Sequence, residues 1–122
     1  MNDIELLKIG RHFRLSDNTK LIVGRNKMEN EILDSLKLDD DVIIEVSNHA
    51  GPICILRTNK QLLTSSSSST EKEIEIAAST ALRYSDSPKY KFSTVRIKKV
   101  VQIDKEIQVF PIDNKVLDEL RI

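Results

Sequence analysis

Cysteine, glycine, histidine and tryptophan are all scarce in this sequence. Among its 122 residues there are one cysteine, three glycines, two histidines and no tryptophan. The single cysteine excludes an internal disulfide and a zinc site built from cysteines. Three glycines are too few for a dinucleotide fingerprint, and neither an HExxH nor a GxSxG motif is present. We therefore expect no catalytic residue, no metal and no cofactor.

Long apolar runs and an excess of one charge are also missing. No run approaches the roughly 20 residues that a membrane helix needs, and the N-terminus lacks a signal-peptide pattern. The sequence thus favours a cytoplasmic protein with no membrane partner. The 19 Lys and Arg residues cancel the 19 Asp and Glu residues, which excludes nucleic-acid binding by bulk charge alone. The length predicts one domain over residues 1–122, with a core at about 11–101 and a flexible serine-rich loop at 64–70.

The charges are nevertheless segregated along the chain. Residues 8–27 carry six basic residues and one acid, a net charge of +5. Residues 28–52 carry seven acids and one lysine, a net charge of −6. Residues 83–105 carry seven basic residues and two acids, again +5. A neutral protein would present one basic face if its fold brought the two basic segments together.

Hydrophobic periodicity and turn residues predict the order β-β-α-β-β-α-β-β with a short helix at the end. The predicted elements are a hairpin over 11–25, a helix over 27–37 capped by Asn26, a central strand over 42–46, a strand over 53–56, a helix from a capping box at Thr70 to about Ser85, strands over 94–101 and 107–110, and a helix over 115–120. This order indicates an α+β fold. We expect a mostly antiparallel sheet of about five to six strands, with two main helices packed on one face.

Cations and aromatic residues alternate in the second basic segment. In the predicted strand 94–101, Arg96 and Lys98 share one face, while Lys99 lies on the other with the apolar residues. Just upstream, Tyr84, Tyr90 and Phe92 stand among Arg83, Lys89 and Lys91. Unpaired RNA bases stack on aromatic rings while cations bind phosphates. An equally good interpretation is an exposed strand that lysines protect from edge pairing, with the aromatics in the core.

A second candidate site lies at the start of the first predicted helix. Arg25 precedes the Asn26 cap, beside the free N–H groups of the first helical turn. This arrangement favours an anion such as a phosphate. The alternative is an ordinary capped helix whose arginine faces water.

Taken in order, these segments resemble the NFACT-R domain, the RNA-binding domain of the NFACT proteins of ribosome quality control. The resemblance rests on Val23-Gly24-Arg25-Asn26, Glu29-Asn30-Glu31, Asp41 before an apolar strand, Gly51-Pro52, EIAASTALRYS at 75–85, and Val95-Arg96-Ile97-Lys98-Lys99. The chain departs from the NFACT proteins at Ile43, Glu45, Pro52 and Ile53, where they have Trp, His and a Ser-His pair. It is more similar to the shorter bacterial and archaeal version, which occurs with PP-loop ATPase domains similar to tRNA thiolation enzymes.

The resemblance implies a non-catalytic RNA-binding domain that supports RNA modification or translation-associated quality control. The RNA would be tRNA or a ribosome-associated RNA, with a PP-loop ATPase as a further partner. The expected RNA surface consists of Arg25, Asn26, Arg57, Arg83, Tyr84, Arg96, Lys98 and Lys99. Two alternatives remain open. One is a protein-interaction module that uses Glu29, Glu31, Asp34 and the basic strand to dock a PP-loop ATPase or a second copy, and the other is an enzyme of unrecognised type.

Overall fold

The computed structural model describes residues 9–16, 19–37, 41–58, 67–89, 91–99 and 103–121. Within them the structure is α+β, with six strands in one sheet and three helices. The strands are β1 (Arg11–Ser16), β2 (Thr19–Val23), β3 (Val42–Val46), β4 (Cys54–Thr58), β5 (Ser93–Lys99) and β6 (Ile103–Val109). The helices are α1 (Lys27–Leu36), α2 (Ser67–Arg83) and α3 (Asn114–Leu120).

The strands lie in the order β1-β2-β4-β3-β5-β6, and each neighbouring pair is antiparallel. β3 and β4 occupy the centre, as the nearly continuous apolar pattern at 42–46 predicted. The register defines what we call the upper end of the sheet. There β2, β3 and β6 finish, and β1, β4 and β5 begin.

The expected architecture, two main helices on one face of a mostly antiparallel sheet of about five to six strands, is wrong. The sheet has six strands, all its pairs are antiparallel, and α1 and α2 pack on opposite faces. Two crossovers explain this layering. β2 continues through α1 to β3, and β4 continues through α2 to β5, in each case to a strand that runs parallel to the first and lies two positions away in the sheet. Both crossovers move in the same direction across the sheet, but β2 and β4, from which they start, run in opposite directions. Because crossovers between parallel strands are right-handed, the two helices must lie on opposite faces of the sheet.

The larger hydrophobic core lies between the sheet and α2. The helix contributes a stripe of buried apolar residues whose small alanines allow close approach to the strands: Ile74, Ala77, Ala78, Ala81 and Leu82. Alternate strand residues such as Ile44, Leu56 and Ile97 fill the sheet side. Ile112 and Leu117 join the same cluster, which extends the core beyond residue 101.

A smaller core lies between the sheet and α1. Ile22, Ile43 and Ile55 point to this face, and Leu33 of the helix is fully buried against them. Each of these strand residues stands between two residues of the larger core. The central strands are therefore apolar on both faces, which their pattern of consecutive apolar residues reflects.

α2 and β6 both begin earlier than the sequence pattern predicts, β6 at Ile103 and not at 107. α2 begins at Ser67, so Thr70, the expected cap, lies inside the helix. Of the expected serine-rich loop, residues 64–66 lie outside the described residues. No helix in the described ranges is both long and apolar enough to cross a membrane.

The packing of α1 on its own face predicts a specific loss of stability. Leu33→Ala should lower the free energy of unfolding by about 2–5 kcal/mol, because it leaves a cavity among three buried isoleucines. Met28→Ala on the same helix should change it by less than about 0.5 kcal/mol, since Met28 is 65% exposed. Denaturant unfolding of both variants measures the difference. Equal losses would contradict the packing of α1 against the sheet.

Candidate nucleic-acid interface

The ends of the two main helices meet at the upper end of the sheet. α1 starts there, just after β2, and α2 returns there before β5 begins. Backbone hydrogen bonds join the surrounding loops. The amide of Gly24 donates to the carbonyl of Ile53 at 3.0 Å, and that of Asp86 donates to the carbonyl of Ala50 at 2.8 Å. Three segments distant in sequence thus become neighbours.

A shallow pocket of about 270 Å³ opens between these segments. Its lining contains three cationic side chains, one aromatic ring and no acid. The lining residues are Arg11, Gly24, Arg25, Asn26, Lys27, Asn30, Gly51, Pro52 and Tyr84. Such a composition suits a small anion or one phosphate group of a larger ligand.

The N-terminus of α1 points its donors into this region. The side chain of Asn26 caps the helix, its Oδ1 accepting the amide of Glu29 at 2.9 Å. The N–H groups of Lys27 and Met28 have no acceptor within the helix, because they belong to its first turn. With the positive end of the helix dipole, they favour a bound anion.

A bidentate ion pair fixes Arg25 beside this helix end. Its Nε and Nη2 donate to the two carboxylate oxygens of Glu29 at 2.8 and 2.6 Å, and its backbone N–H donates to the same group at 3.0 Å. The side chain of Glu29 is 5% exposed and that of Arg25 is 47% exposed. Asn26 caps the helix as the sequence predicted, and the carboxylate of Glu29 accepts the backbone N–H of Arg25, the residue before the cap.

This pairing strongly perturbs the titration of Glu29. The hydrogen bonds from Arg25 lower the pKa of the Glu29 carboxyl to about 2, helped by the backbone N–H of Gly10, although burial acts in the opposite direction. Glu29 therefore stays ionised and holds the guanidinium in place. Arg25 retains an exposed edge toward the pocket, but part of its charge is neutralised.

Tyr84, which follows the end of α2, contacts two arginines, of which Arg11 lines the pocket. The guanidinium of Arg11 lies 4.5 Å from the centroid of its ring, and Nη2 of Arg121 donates to its hydroxyl at 3.1 Å. The ring also contacts the buried Phe13, with 6.3 Å between centroids. One face of Tyr84 is thus occupied by Arg11, and the tyrosine orients that arginine at the pocket rim.

Two glycines permit the close approach of these segments. A Cβ at Gly24 would lie 2.0 Å from Oδ1 of Asn30, which accepts the amide of Ile53 at 3.1 Å. A Cβ at Gly51 would lie 2.9 Å from Cβ of Ser85. Side chains at either position would separate the loops that form the pocket.

A match to a known family gives this pocket its context. The family model of the NFACT protein RNA binding domain matches residues 10–121. The chain belongs to the NFACT RNA-binding domain family. The match runs beyond the segments that carried the resemblance and includes β6 and α3. Membership in this family favours a non-catalytic role in RNA binding.

A solved structure shares the fold of this NFACT RNA-binding domain. The C-terminal part of the fibronectin/fibrinogen-binding protein from Streptococcus suis is similar with a TM-score of 0.74 and 15% sequence identity. The match covers 93% of this chain and 49% of the other, so this chain spans about half the length of that structure. At this identity the similarity shows the fold. No curated protein matches the sequence.

Three of the expected RNA-binding residues of this domain meet at the pocket. Arg25 and Asn26 approach it from α1, and Tyr84 approaches it from α2. Arg83 precedes Tyr84, but its Nε donates to Oδ1 of Asn114 at 3.0 Å. This places the guanidinium of Arg83 against the start of α3.

Arg57 has a structural role at the lower end of the sheet. Its guanidinium pairs with the buried carboxylate of Asp41 at 3.0 and 2.7 Å. It also donates to the carbonyl of Leu36, the last residue of α1, at 3.4 Å. These bonds tie the end of α1 to β3 and β4, on the opposite side of the fold from the pocket.

The cations of β5 stand among acids on the open part of the α1 face. Nζ of Lys98 lies 3.6 Å from Oε1 of Glu45 on β3. Arg96 is aligned with Glu45 on one side and with Glu106 on the other. The side chain of Lys99 and all of Tyr90 lie outside the described residues. The basic segments 8–27 and 83–105 therefore come together at Tyr84, through Arg11, and not along β5.

Two cations of the pocket, Arg11 and Lys27, are not among the residues that the sequence predicted for the RNA surface. Both belong to the basic segment 8–27, whose charge was the available signal. Alternation along β1 puts Arg11 on the same side as Phe13, but its meeting with Tyr84 depends on how β1 and α2 are placed. Among the described residues, no three His, Cys, Asp or Glu side chains are placed to bind a metal ion.

The ion pair at the pocket predicts an acid-dependent loss of stability. Because the pKa of Glu29 is lower in the folded protein, its contribution is full above about pH 4.5 and is lost as the pH falls toward 2. Glu29→Gln should therefore destabilise the protein at pH 7 and flatten this part of the pH profile. Unfolding free energies at pH 7, 4 and 2.5 measure the effect.

A second variant controls for the loss of one negative charge. Glu31→Gln removes an exposed carboxylate from the same helix and should leave the profile close to that of the wild type. A constant difference between wild type and Glu29→Gln at all three pH values would contradict the role of the ion pair.

Proposed function

We propose that this NFACT RNA-binding domain holds a backbone phosphate of RNA in the pocket at the upper end of the sheet. The observation that carries the proposal is the convergence of three cations, Arg11, Arg25 and Lys27, on a helix N-terminus with no acid in the lining. Phosphate oxygens accept hydrogen bonds from guanidinium, ammonium and backbone N–H groups, and the pocket offers all three.

The residues differ in their roles under this proposal. Lys27 and the amides of the first turn of α1 would bind the phosphate directly. Arg25, held by Glu29, would supply the free edge of its guanidinium. Arg11, stacked on Tyr84, would bind from the opposite rim. None of these contacts reads a base, so the pocket would position RNA without selecting a sequence.

We propose tRNA as the RNA, in support of an RNA-modifying enzyme in the cytoplasm. This rests on the similarity to the shorter bacterial and archaeal version of the domain, which occurs with PP-loop ATPase domains. The chain contains no SGGxDS-like stretch of its own. ATP chemistry would therefore come from a partner, or from a region of a longer chain outside this sequence, that acts on the tRNA this domain holds. A role in translation-associated quality control would use the same contacts.

A protein-docking role is the second candidate, and the open sheet face favours it. Arg96 and Lys98 alternate there with Glu45 and Glu106, a mixed pattern that suits a protein surface better than a polyanion. The acidic face of α1 is a weaker docking surface than expected, because Glu29 is buried in its ion pair. A PP-loop ATPase or a second copy would be the partner.

Two double variants distinguish the pocket from the basic strand. Arg11→Ala with Lys27→Ala should weaken tRNA binding and reduce the slope of log affinity against log salt by about 0.7–0.9, since the one phosphate in the pocket loses two of its three cations. Arg96→Ala with Lys98→Ala removes the same charge and should change the slope by less. Filter-binding titrations from 25 to about 200 mM salt measure both slopes.

These titrations also test the family-level role. Equal slope changes in both variants would contradict the pocket, because bulk charge would then explain binding. A wild-type protein without tRNA affinity even at low salt would contradict RNA binding as a whole. A PP-loop ATPase that stably copurifies with this protein in the absence of RNA would favour the docking role.

A further inference from the structure

Two phenylalanine side chains stand exposed at the upper end of the sheet. Phe92 is 66% exposed and Phe110 is 43% exposed. Their ring centroids lie 5.4 Å apart at an interplanar angle of 75°, an edge-to-face pair. In an edge-to-face pair neither ring has both of its faces covered by the other. Two exposed rings in contact form an apolar surface on which a flat ligand could stack.

The backbone holds this pair in place. Phe92 immediately precedes β5 and Phe110 immediately follows β6, and the adjacent residues Ser93 and Val109 are paired in register. The rings therefore extend from the last rung of an antiparallel ladder. A fixed pair of rings loses little conformational entropy when a flat ligand stacks on it.

The pair lies at the same end of the sheet as the phosphate pocket. The pocket is built around the end of β2 and the start of β4, and the rings are attached to β5 and β6. Two to four strand spacings separate them, roughly 10–19 Å at about 4.8 Å per spacing. A short stretch of extended RNA backbone spans such a distance.

The charge beside the rings fits the same ligand. Lys91 is exposed and directly precedes Phe92. A ring with an adjacent ammonium group matches a nucleobase with its phosphate, because the base stacks while the phosphate pairs with the cation. Base-paired RNA does not offer its base faces, so the match is to unpaired nucleotides.

We propose that Phe92 and Phe110 form a stacking platform for unpaired bases of the RNA whose phosphate occupies the pocket. The inference rests on the proposed function and adds that the domain prefers single-stranded segments, such as loops or free ends, to duplex. The pocket supplies charge-dependent affinity, and the platform distinguishes unpaired from paired RNA. A hydrophobic segment of a protein is the competing occupant of these rings.

Affinity measurements on single-stranded and duplex RNA oligonucleotides of equal length test this division. Phe92→Ala should weaken single-strand binding by about 5- to 150-fold with an unchanged salt slope, and leave duplex binding unchanged. Phe92→Tyr should retain the affinity because it keeps the ring. Val116→Ala, which trims an exposed apolar residue on α3, should have no effect. Unfolding curves verify that each variant is folded.

A fluorescence experiment reports on stacking directly. Because the chain has no tryptophan, Phe92→Trp introduces a single indole at the platform. Single-stranded RNA should quench its emission, duplex RNA should not, and Val116→Trp should respond to neither. Quenching by duplex, or equal affinity of wild type and Phe92→Ala for single strands, would overturn the platform. If RNA still binds in that case, and the Arg11→Ala, Lys27→Ala variant still reduces the salt slope, only the platform is contradicted. If the wild-type protein binds no RNA at all, both proposals are contradicted.

Discussion

The directions of two crossover connections are the constraint on which the rest of this structure depends. β2 and β4 are neighbours that run in opposite directions, and each continues through a helix to the second strand along. Right-handedness then fixes one helix on each face of the sheet. It also fixes the helix polarity, so that α1 starts and α2 ends at the upper end. The position of the pocket is therefore a consequence of topology before any side chain is considered.

The ends of helices carry opposite partial charges, and the fold treats the two ends differently. The amino end of α1 is open and surrounded by cations. The carboxyl end of α2 is neutralised by Lys89, whose Nζ donates to the carbonyls of Leu82, Ser85 and Ser87. Burial, together with the nearby Arg83, lowers the pKa of Lys89. With this end capped, the pocket keeps a positive character in a protein of zero net charge.

The ion pairs leave different fractions of each cation accessible to a ligand. Arg57 is tied to the buried Asp41, whereas Arg25 and Lys98 stay partly exposed beside Glu29 and Glu45. Arg11, by contrast, is positioned by an aromatic ring and keeps its charge uncompensated by an acid in the pocket lining. The segregation of charge along the sequence thus indicates where cations are abundant, while the tertiary pairing decides which of them face a ligand.

The local elements were largely predictable, and the long-range arrangement was not. The Asn26 cap follows from residue chemistry, and the central position of β3 follows from its apolar run. Met28 has the helical spacing of the apolar residues of α1, which include Leu33, yet it is exposed, because only some of these residues reach the sheet. The face of each helix and the meeting of Arg11 with Tyr84 depend on strand order, which no local pattern contains. The family motifs around Gly24, Gly51 and Tyr84 indicated which segments matter, but not the strand order that brings them together.

Backbone amide chemical shifts during titration with a short single-stranded RNA test the central claim most directly. We expect the first and largest changes at residues 24–28, at Gly51 and Ile53, and at residues 84–85, three segments that only the fold brings together. Changes centred instead on the open sheet face around Arg96 and Lys98, with residues 24–28 unaffected, would contradict it.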